Sequence, residues 1–325
     1  MRLVAFLATL LLAAAAPAEE YAGRTPPRLS LLEGEVSVWS GGSDEWEAAE
    51  VNLPLAPGDF LYTGAGSRIE IQVGARAFVR ADGDTQLGLL SQDGLAYRFD
   101  VGAGRATLDL RDLAAGARLE VETPHGRLAV AQPGLYDIVV GQSRSAFTAR
   151  QGGRGTVQAG GDSLELRAGT QIVAPGSGVR LARYEAPPLD DWDRWNSQRT
   201  DRVLAAVSRS WVSEDVYGVS DLDDHGTWRE VPEYGRVWVP ARVAPDWAPY
   251  TTGRWYWDVD YGWSWIDAAP WGWAPYHYGR WVWVNNYWGW APGPIVARSI
   301  YYPALVAFYG GPSVSVGVSV GFPYV

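Results

Sequence analysis

The chain of 325 residues contains no cysteine, no lysine, one methionine and three histidines. Without cysteine there can be no disulfide, no thiolate nucleophile, no cysteine-ligated zinc and no lipidated N-terminal cysteine, so packing alone must hold the fold. Without lysine, all 27 basic residues are arginine, set against 37 acidic ones. The resulting formal charge of −10 argues against nucleic acid as a partner, because phosphate binding needs clustered cations. Missing too, beyond the first residues, is any apolar run of the roughly 20 residues that a spanning helix requires. The histidines, His125, His225 and His277, have no metal-ligand spacing. Neither a metal nor a cofactor is expected.

What is present points to turn-rich β structure. Glycine (38) and proline (21) are abundant, apolar content is 47 % and charged content 20 %, and the length suffices for two domains. The first residues, MRLVAFLATLLLAAAAPAEE, place Arg2 ahead of an apolar run and then Ala16-Pro17-Ala18. This pattern predicts a signal peptide at 1–18, cleaved after Ala18, and a periplasmic or secreted protein with no transmembrane segment after cleavage. From 28 to 183, runs such as LSLLEGEVSVWSGG and GSRIEIQVGARAFVRADG alternate apolar and polar residues between Gly, Asp and Pro. Short, evenly spaced strands without intervening helices predict a sandwich, roll or solenoid.

Within that region LLEGEV (31–36), PLAPGDFLYTG (54–64), GSRIEI (66–71), VETPHG (121–126) and PGLYDI (133–138) follow one another in an order that resembles the FecR-like domain of bacterial envelopes. The resemblance implies a β-rich, helically wound fold, a β-roll or solenoid-like domain. From 184 to 225 the pattern changes. A Pro-Pro break, acids at 190–193 and then Trp192, Trp195, Val203 and Val207 fit one face of a short helix in a linker.

Residues 226–302 contain an internal repeat of about 26 residues. Copies begin at Gly226-Thr-Trp228, Gly253-Arg-Trp255 and Gly279-Arg-Trp281, with a tyrosine eight residues after each glycine: Tyr234, Tyr261 and Tyr287. Trp-Ala-Pro-Tyr connects the copies at 247–250 and 273–276. RWYW-DVDY-GWSWI and RWVW-VNNY-WGWAP read as β-hairpins whose alternation puts tryptophans on one face and polar groups on the other. WAPYHYGRW and its surroundings resemble a Trp/Tyr-rich domain of unknown function that follows FecR-like domains in exported bacterial proteins. That resemblance supplies no activity. Residues 303–325 form a Gly/Ser/Val-rich, β-prone tail suited to pairing with a sheet edge.

No motif carries catalysis. Gly317-Val-Ser319-Val-Gly321 matches the hydrolase elbow, but four residues remain after it for an acid and a histidine, and it continues a valine alternation. DLDDHG (221–226) lacks the spaced acids and distal Glu of a calcium loop, and it reads, like DDWD (190–193), as a turn or helix cap. The 13 tryptophans between Trp228 and Trp290 then pose the question of core or surface. Most of them, about two in three, are expected in a core and a minority in a groove. Tyr250, Tyr256, Tyr276 and Tyr278 are the expected exposed rings, because a phenol has a wet end. With Trp255 and Trp281 they form the candidate ligand surface, and Arg254 and Arg280 are the cations that would contact acidic groups. The sequence therefore predicts a non-enzymatic envelope protein that binds or scaffolds, with polysaccharide or peptidoglycan as leading partner. FecR-type signalling and protein–protein assembly with another envelope protein are the alternatives.

Overall fold

The computed structural model describes residues 25–113, 116–176, 180–258 and 260–305, and the backbone of 307–309 and 316–318. The expected signal peptide lies outside the described residues, as does most of the expected tail, Ser319 of the elbow-like motif included. The fold is mainly β, with a short helical segment and aromatic hairpins, as the sequence predicts.

Fourteen strands form the N-terminal sheet system. They are β1 (Arg28–Glu33), β2 (Val36–Trp39), β3 (Glu47–Ala48), β4 (Phe60–Thr63), β5 (Arg68–Gly74), β6 (Ala77–Ala81) and β7 (Thr85–Asp93). There follow β8 (Ala96–Leu110), β9 (Arg118–Thr123), β10 (Gly126–Val140), β11 (Arg144–Ala159), β12 (Asp162–Arg167), β13 (Thr170–Pro175) and β14 (Ala182–Glu185). Neighbours pair antiparallel except β8 with β9, which run parallel. The sequence suggests short strands throughout, but β8, β10 and β11 run 15, 15 and 16 residues. Each changes partners along its length, β8 pairing with four strands and β10 and β11 with three each. Residues 126–130 of β10 pair with β9, and 134–140 pair with β8. At this change of partner Gly134 lies so close to Gly153 that an added Cβ would come within 2.4 Å of its Cα, so no side chain fits there. The alternating residues Ile69, Ile71, Val79, Phe99, Leu108 and Ile138 fill the core between the layers.

Helix α1 (Asp191–Leu204) lies against this sheet and is no free linker. Asp190 and Asp193 form a capping box: Asp190 Oδ1 accepts from the Asp193 amide at 3.0 Å, and Asp193 Oδ2 accepts from the Asp190 amide at 3.1 Å. Trp192 is buried and its indole donates to Thr107 Oγ1 at 2.8 Å. The helix ends at Leu204, which leaves Val207 outside it and exposed rather than on the predicted face. A charged seam under the helix is fully buried. Arg80 donates to Glu70 at 2.8 Å and to Thr200 Oγ1 at 2.7 Å, and Thr200 donates on to Asp109 Oδ2 at 2.6 Å. Burial opposes the charge of Glu70, but Arg80 and Arg199 outweigh it and hold the carboxyl down at about 2.

Three hairpins follow: β15 (Gly226–Val231) with β16 (Gly235–Pro240), β17 (Gly253–Asp258) with β18 (Gly262–Asp267), and β19 (Arg280–Val284) with β20 (Tyr287–Ala291). Strand β16 also pairs β20 at Trp238 and Trp290, which joins the first and third hairpins in one sheet. Helix α2 (Trp273–His277) connects the second and third. Asn285 and Asn286 both have positive φ, as a two-residue primed turn requires between Val284 and Tyr287. β21 (Ala307–Tyr309) and β22 (Val316–Val318) form a final pair.

Candidate functional site

The repeat explains itself at its glycines. A Cβ on Gly226 would sit 2.3 Å from the Trp238 ring, on Gly253 2.7 Å from Trp265, and on Gly279 2.8 Å from Trp290. In each copy the indole of the returning strand lies over the opening glycine, a close approach that any side chain would block. The rungs then correspond. Trp228 faces Trp238, Trp255 faces Trp265, and Trp281 faces Trp290. One rung further toward the turn stand Glu230–Arg236, Trp257–Trp263 and Trp283–Trp288.

The inner rung is core. Trp238, Trp265 and Trp290 are buried with Trp271, Trp273 and Tyr276 in one aromatic cluster. Ring centroids lie 5.0 Å apart for Trp238 and Trp271, and 5.3 Å apart for Trp265 and Trp255. Three rings of the outer rung are surface, and the fourth, Trp288, is half-buried and packs against the aromatic cluster. Trp257 and Trp263 are each 58 % exposed and Trp283 is 55 % exposed. Both outer pairs have one geometry: centroids 5.4 Å apart, with planes at 62° in the second hairpin and 64° in the third. At the equivalent rung of the first hairpin stands an ion pair, Arg236 to Glu230 at 3.5 Å.

The other face of the second hairpin is largely covered, Arg254 at its edge excepted, and not turned to water as the alternation suggests. Ile266 belongs to the core of the N-terminal β region, and Tyr256 packs against it. Tyr256 Oη lies 3.3 Å from Ser40 Oγ, and Tyr261 Oη donates to Gln92 Oε1 at 2.6 Å. Deeper in the same seam, Arg28 is 1 % exposed. It donates to Gln72 at 3.0 Å, Asn52 at 3.0 Å and Asp221 at 2.6 Å. Asn52 donates on to the Ala269 carbonyl at 2.9 Å. The hairpin is thus a wall shared by two cores, and the β region carries the aromatic array.

These contacts correct the predicted surface. Tyr276 and Tyr278 are fully buried, Trp281 is buried, and Tyr250 and Trp255 pack on the same cluster. Two of the hydroxyls are satisfied within the protein: Tyr250 Oη accepts from the Leu305 amide at 3.0 Å, and Tyr278 Oη lies 3.0 Å from Thr25 Oγ1, whereas the buried Tyr276 Oη has no hydrogen-bond partner among the described residues. Burial pushes the Tyr250 and Tyr278 phenols up. Tyr256 is half-buried in the seam. Arg254 is exposed, but it pairs with Glu50 and lies over the Tyr256 ring at 5.4 Å. Arg280 lies over Tyr234 at 5.3 Å. The predicted residues are therefore near one another, mostly as core, and the exposed tip indoles were not singled out. Strand parity gives the face of each ring. The signal that parity misses is the count of rungs from the glycine, which decides whether the core still reaches it.

Among the described residues, no group of three or more His, Asp and Glu could hold a metal ion, and no helix is long and apolar enough to cross a membrane. Surface depressions of about 460 Å³, beside Glu122, Arg127 and Gln158, and about 630 Å³, beside Arg144, Gln171 and Tyr184, lie in the N-terminal sheet. Neither involves the array.

Comparison with known proteins gives one family of unknown function over the array and no activity. Residues 219–322 match the model of a family of unknown function (DUF6600). Two crystal structures of a candidate anti-sigma factor from Parabacteroides distasonis ATCC 8503 are similar at 14 % and 13 % identity, each with a TM-score of 0.34. Each match covers 39 % of this chain and 59 % of the other. At that TM-score the likeness carries no argument about fold or function. No curated protein matches the chain.

Proposed function

We propose that the protein is an exported, non-enzymatic binding or scaffolding component of the bacterial envelope, and that polysaccharide or peptidoglycan is its ligand class. The observation that carries this reading is the pair of outer rungs. Trp257, Trp263 and Trp283, each more than half exposed, add little to the core, and Trp288 backs Trp283 from the edge of the aromatic cluster. Exposed apolar surface of this kind marks an interaction site. An indole face offers area and an N–H donor together, which suits a sugar ring with its apolar C–H face and polar rim. The β region supports this role as a base. The seam from Arg28 through Asn52 to Ala269 seats the hairpins on a large core, so the tips are presented on rigid elements.

Co-sedimentation of the intact chain with insoluble peptidoglycan and with insoluble polysaccharide tests the reading. Retention that falls when Trp257, Trp263, Trp283 and Trp288 are replaced by alanine supports it. Retention on no polymer, by a chain whose near-ultraviolet dichroism is native, contradicts it. FecR-type signalling is the second reading, and the shared hairpin wall favours it. Occupancy at the tips would then alter hydrogen exchange in the strands that hold Ser40 and Gln92, which a passive scaffold would leave unchanged.

A further inference from the structure

Resting on the glycan reading above, we infer that the Trp257–Trp263 and Trp283–Trp288 rungs are two stacking sites for an uncharged glycan, the first offering two exposed indoles and the second chiefly Trp283, and that the Glu230–Arg236 rung is not a site. Three observations support this. The first is placement: both indole pairs occupy the same rung of the repeat with the tilted cross-strand geometry that the inner pair also has, yet Trp257, Trp263 and Trp283 stand more than half exposed there while Trp288 rests on the aromatic core. Core packing does not call for the three exposed rings.

The second observation concerns charge. The sequence argument gave Arg254 and Arg280 the task of meeting acidic groups. The structure commits both: Arg254 to Glu50 and the Tyr256 ring, Arg280 to the Tyr234 ring. Arg236 is likewise spent on Glu230. The turn beside Trp257 and Trp263 carries Asp258 and Asp260, and the turn beside Trp283 and Trp288 carries only Asn285 and Asn286. With a chain charge of −10, neither platform complements a polyanion. Neutral sugar is the occupant that this charge pattern fits.

The third observation is the internal contrast. Where the first hairpin has no indole pair, the same rung is filled by an ordinary surface ion pair. The fold therefore does not need aromatic rings there.

The test is a titration of the intact chain, followed by intrinsic tryptophan fluorescence. The probes are a neutral N-acetylglucosamine oligomer, a neutral glucose oligomer and an acidic galacturonate oligomer. The inference expects binding of a neutral oligomer, unchanged from about 0.05 to 0.5 M salt, because no counterion is released. Trp257→Ala with Trp263→Ala, or Trp283→Ala with Trp288→Ala, should each weaken it about tenfold, and all four together should abolish it. Trp257→Tyr and Trp283→Tyr, which keep a ring, should retain most of the affinity. Glu230→Ala with Arg236→Ala should leave it unchanged. Binding of the acidic oligomer alone, or neutral binding that survives loss of both pairs, overturns this inference and leaves a glycan-binding role standing. Binding of none of the three by a folded chain overturns both.

Discussion

Trp263 and Trp265 lie two residues apart on one strand and share one face, so a comparison of their alanine variants isolates the effect of the rung. Trp265 is 4 % exposed. Its ring meets Tyr250 and Trp255 at 5.3 Å each, and its indole donates to Asp267 at 3.2 Å. Trp265→Ala removes those contacts and takes a donor from a carboxylate already pushed up by burial. Truncating a buried tryptophan costs about 3–5 kcal/mol. For a chain of this size, at about 1.5 °C per kcal/mol, the melting temperature should fall by about 4–8 °C. Trp263 is 58 % exposed and its only described ring partner is Trp257. Its loss removes an exposed aromatic pair worth about 1 kcal/mol, which is a fall of about 1.5 °C or less. Differential scanning calorimetry of the two variants beside the wild type decides the matter. Equal falls, or a larger one for Trp263→Ala, would refute the division into core and surface rungs.

Three further predictions concern the parts that hold the array in place. Thr200→Val keeps the shape but leaves Asp109 and Arg80 each short of a buried partner, so it should cost about 2–4 kcal/mol in chemical denaturation, and Thr200→Ser should recover most of it. Gly253→Ala drives a Cβ to 2.4 Å from the Ile266 carbonyl and should lower the melting temperature by several degrees, whereas alanine at Gly141, where φ is not positive and the nearest atom would lie 3.7 Å away, should change it little. Burial pushes Asp59 up from 3.8 to about 6, with Asp258 adding to the rise. A raised folded value means stability that is present below about pH 4 and lost as pH climbs through about 6. His277 acts in the opposite sense: burial pushes it down to about 4, so its contribution is present above about pH 6.5 and lost on acidification. The difference isolates the first group, and the melting temperature of Asp59→Asn relative to wild type should rise between about pH 4 and pH 7. A flat difference would show that Asp59 does not titrate in the seam.

The sequence made some layers of this structure readable and hid others for physical reasons. Alternation and turn residues identify the strands, and the Gly-x-Trp period identifies the hairpins, because both are local. The capping acids at 190 and 193 are readable for the same reason. The long strands are not, since Gln132-Pro133-Gly134, where β10 changes partners, breaks the apolar alternation and reads as a turn between two short strands. Nothing local marks Arg28 and Arg80, yet among the described residues they are the most buried cations. Their partners Asp221 and Thr200 lie far along the chain, and only the fold brings them together. The tyrosines misled because a wet end can be satisfied by a backbone amide, as Leu305 does for Tyr250. Tip tryptophans share composition, parity and neighbours with core ones. Only their distance from the repeat glycine separates them.

The central claim is that the outer indoles are a binding surface and the inner ones are structure. Indole N–H resonances of the intact chain, recorded while a neutral N-acetylglucosamine oligomer is added, test this residue by residue. The account predicts shifts at Trp257, Trp263, Trp283 and Trp288 and none at Trp238, Trp273 and Trp290. Shifts confined to the inner rings, or to neither set while the oligomer binds, would contradict it.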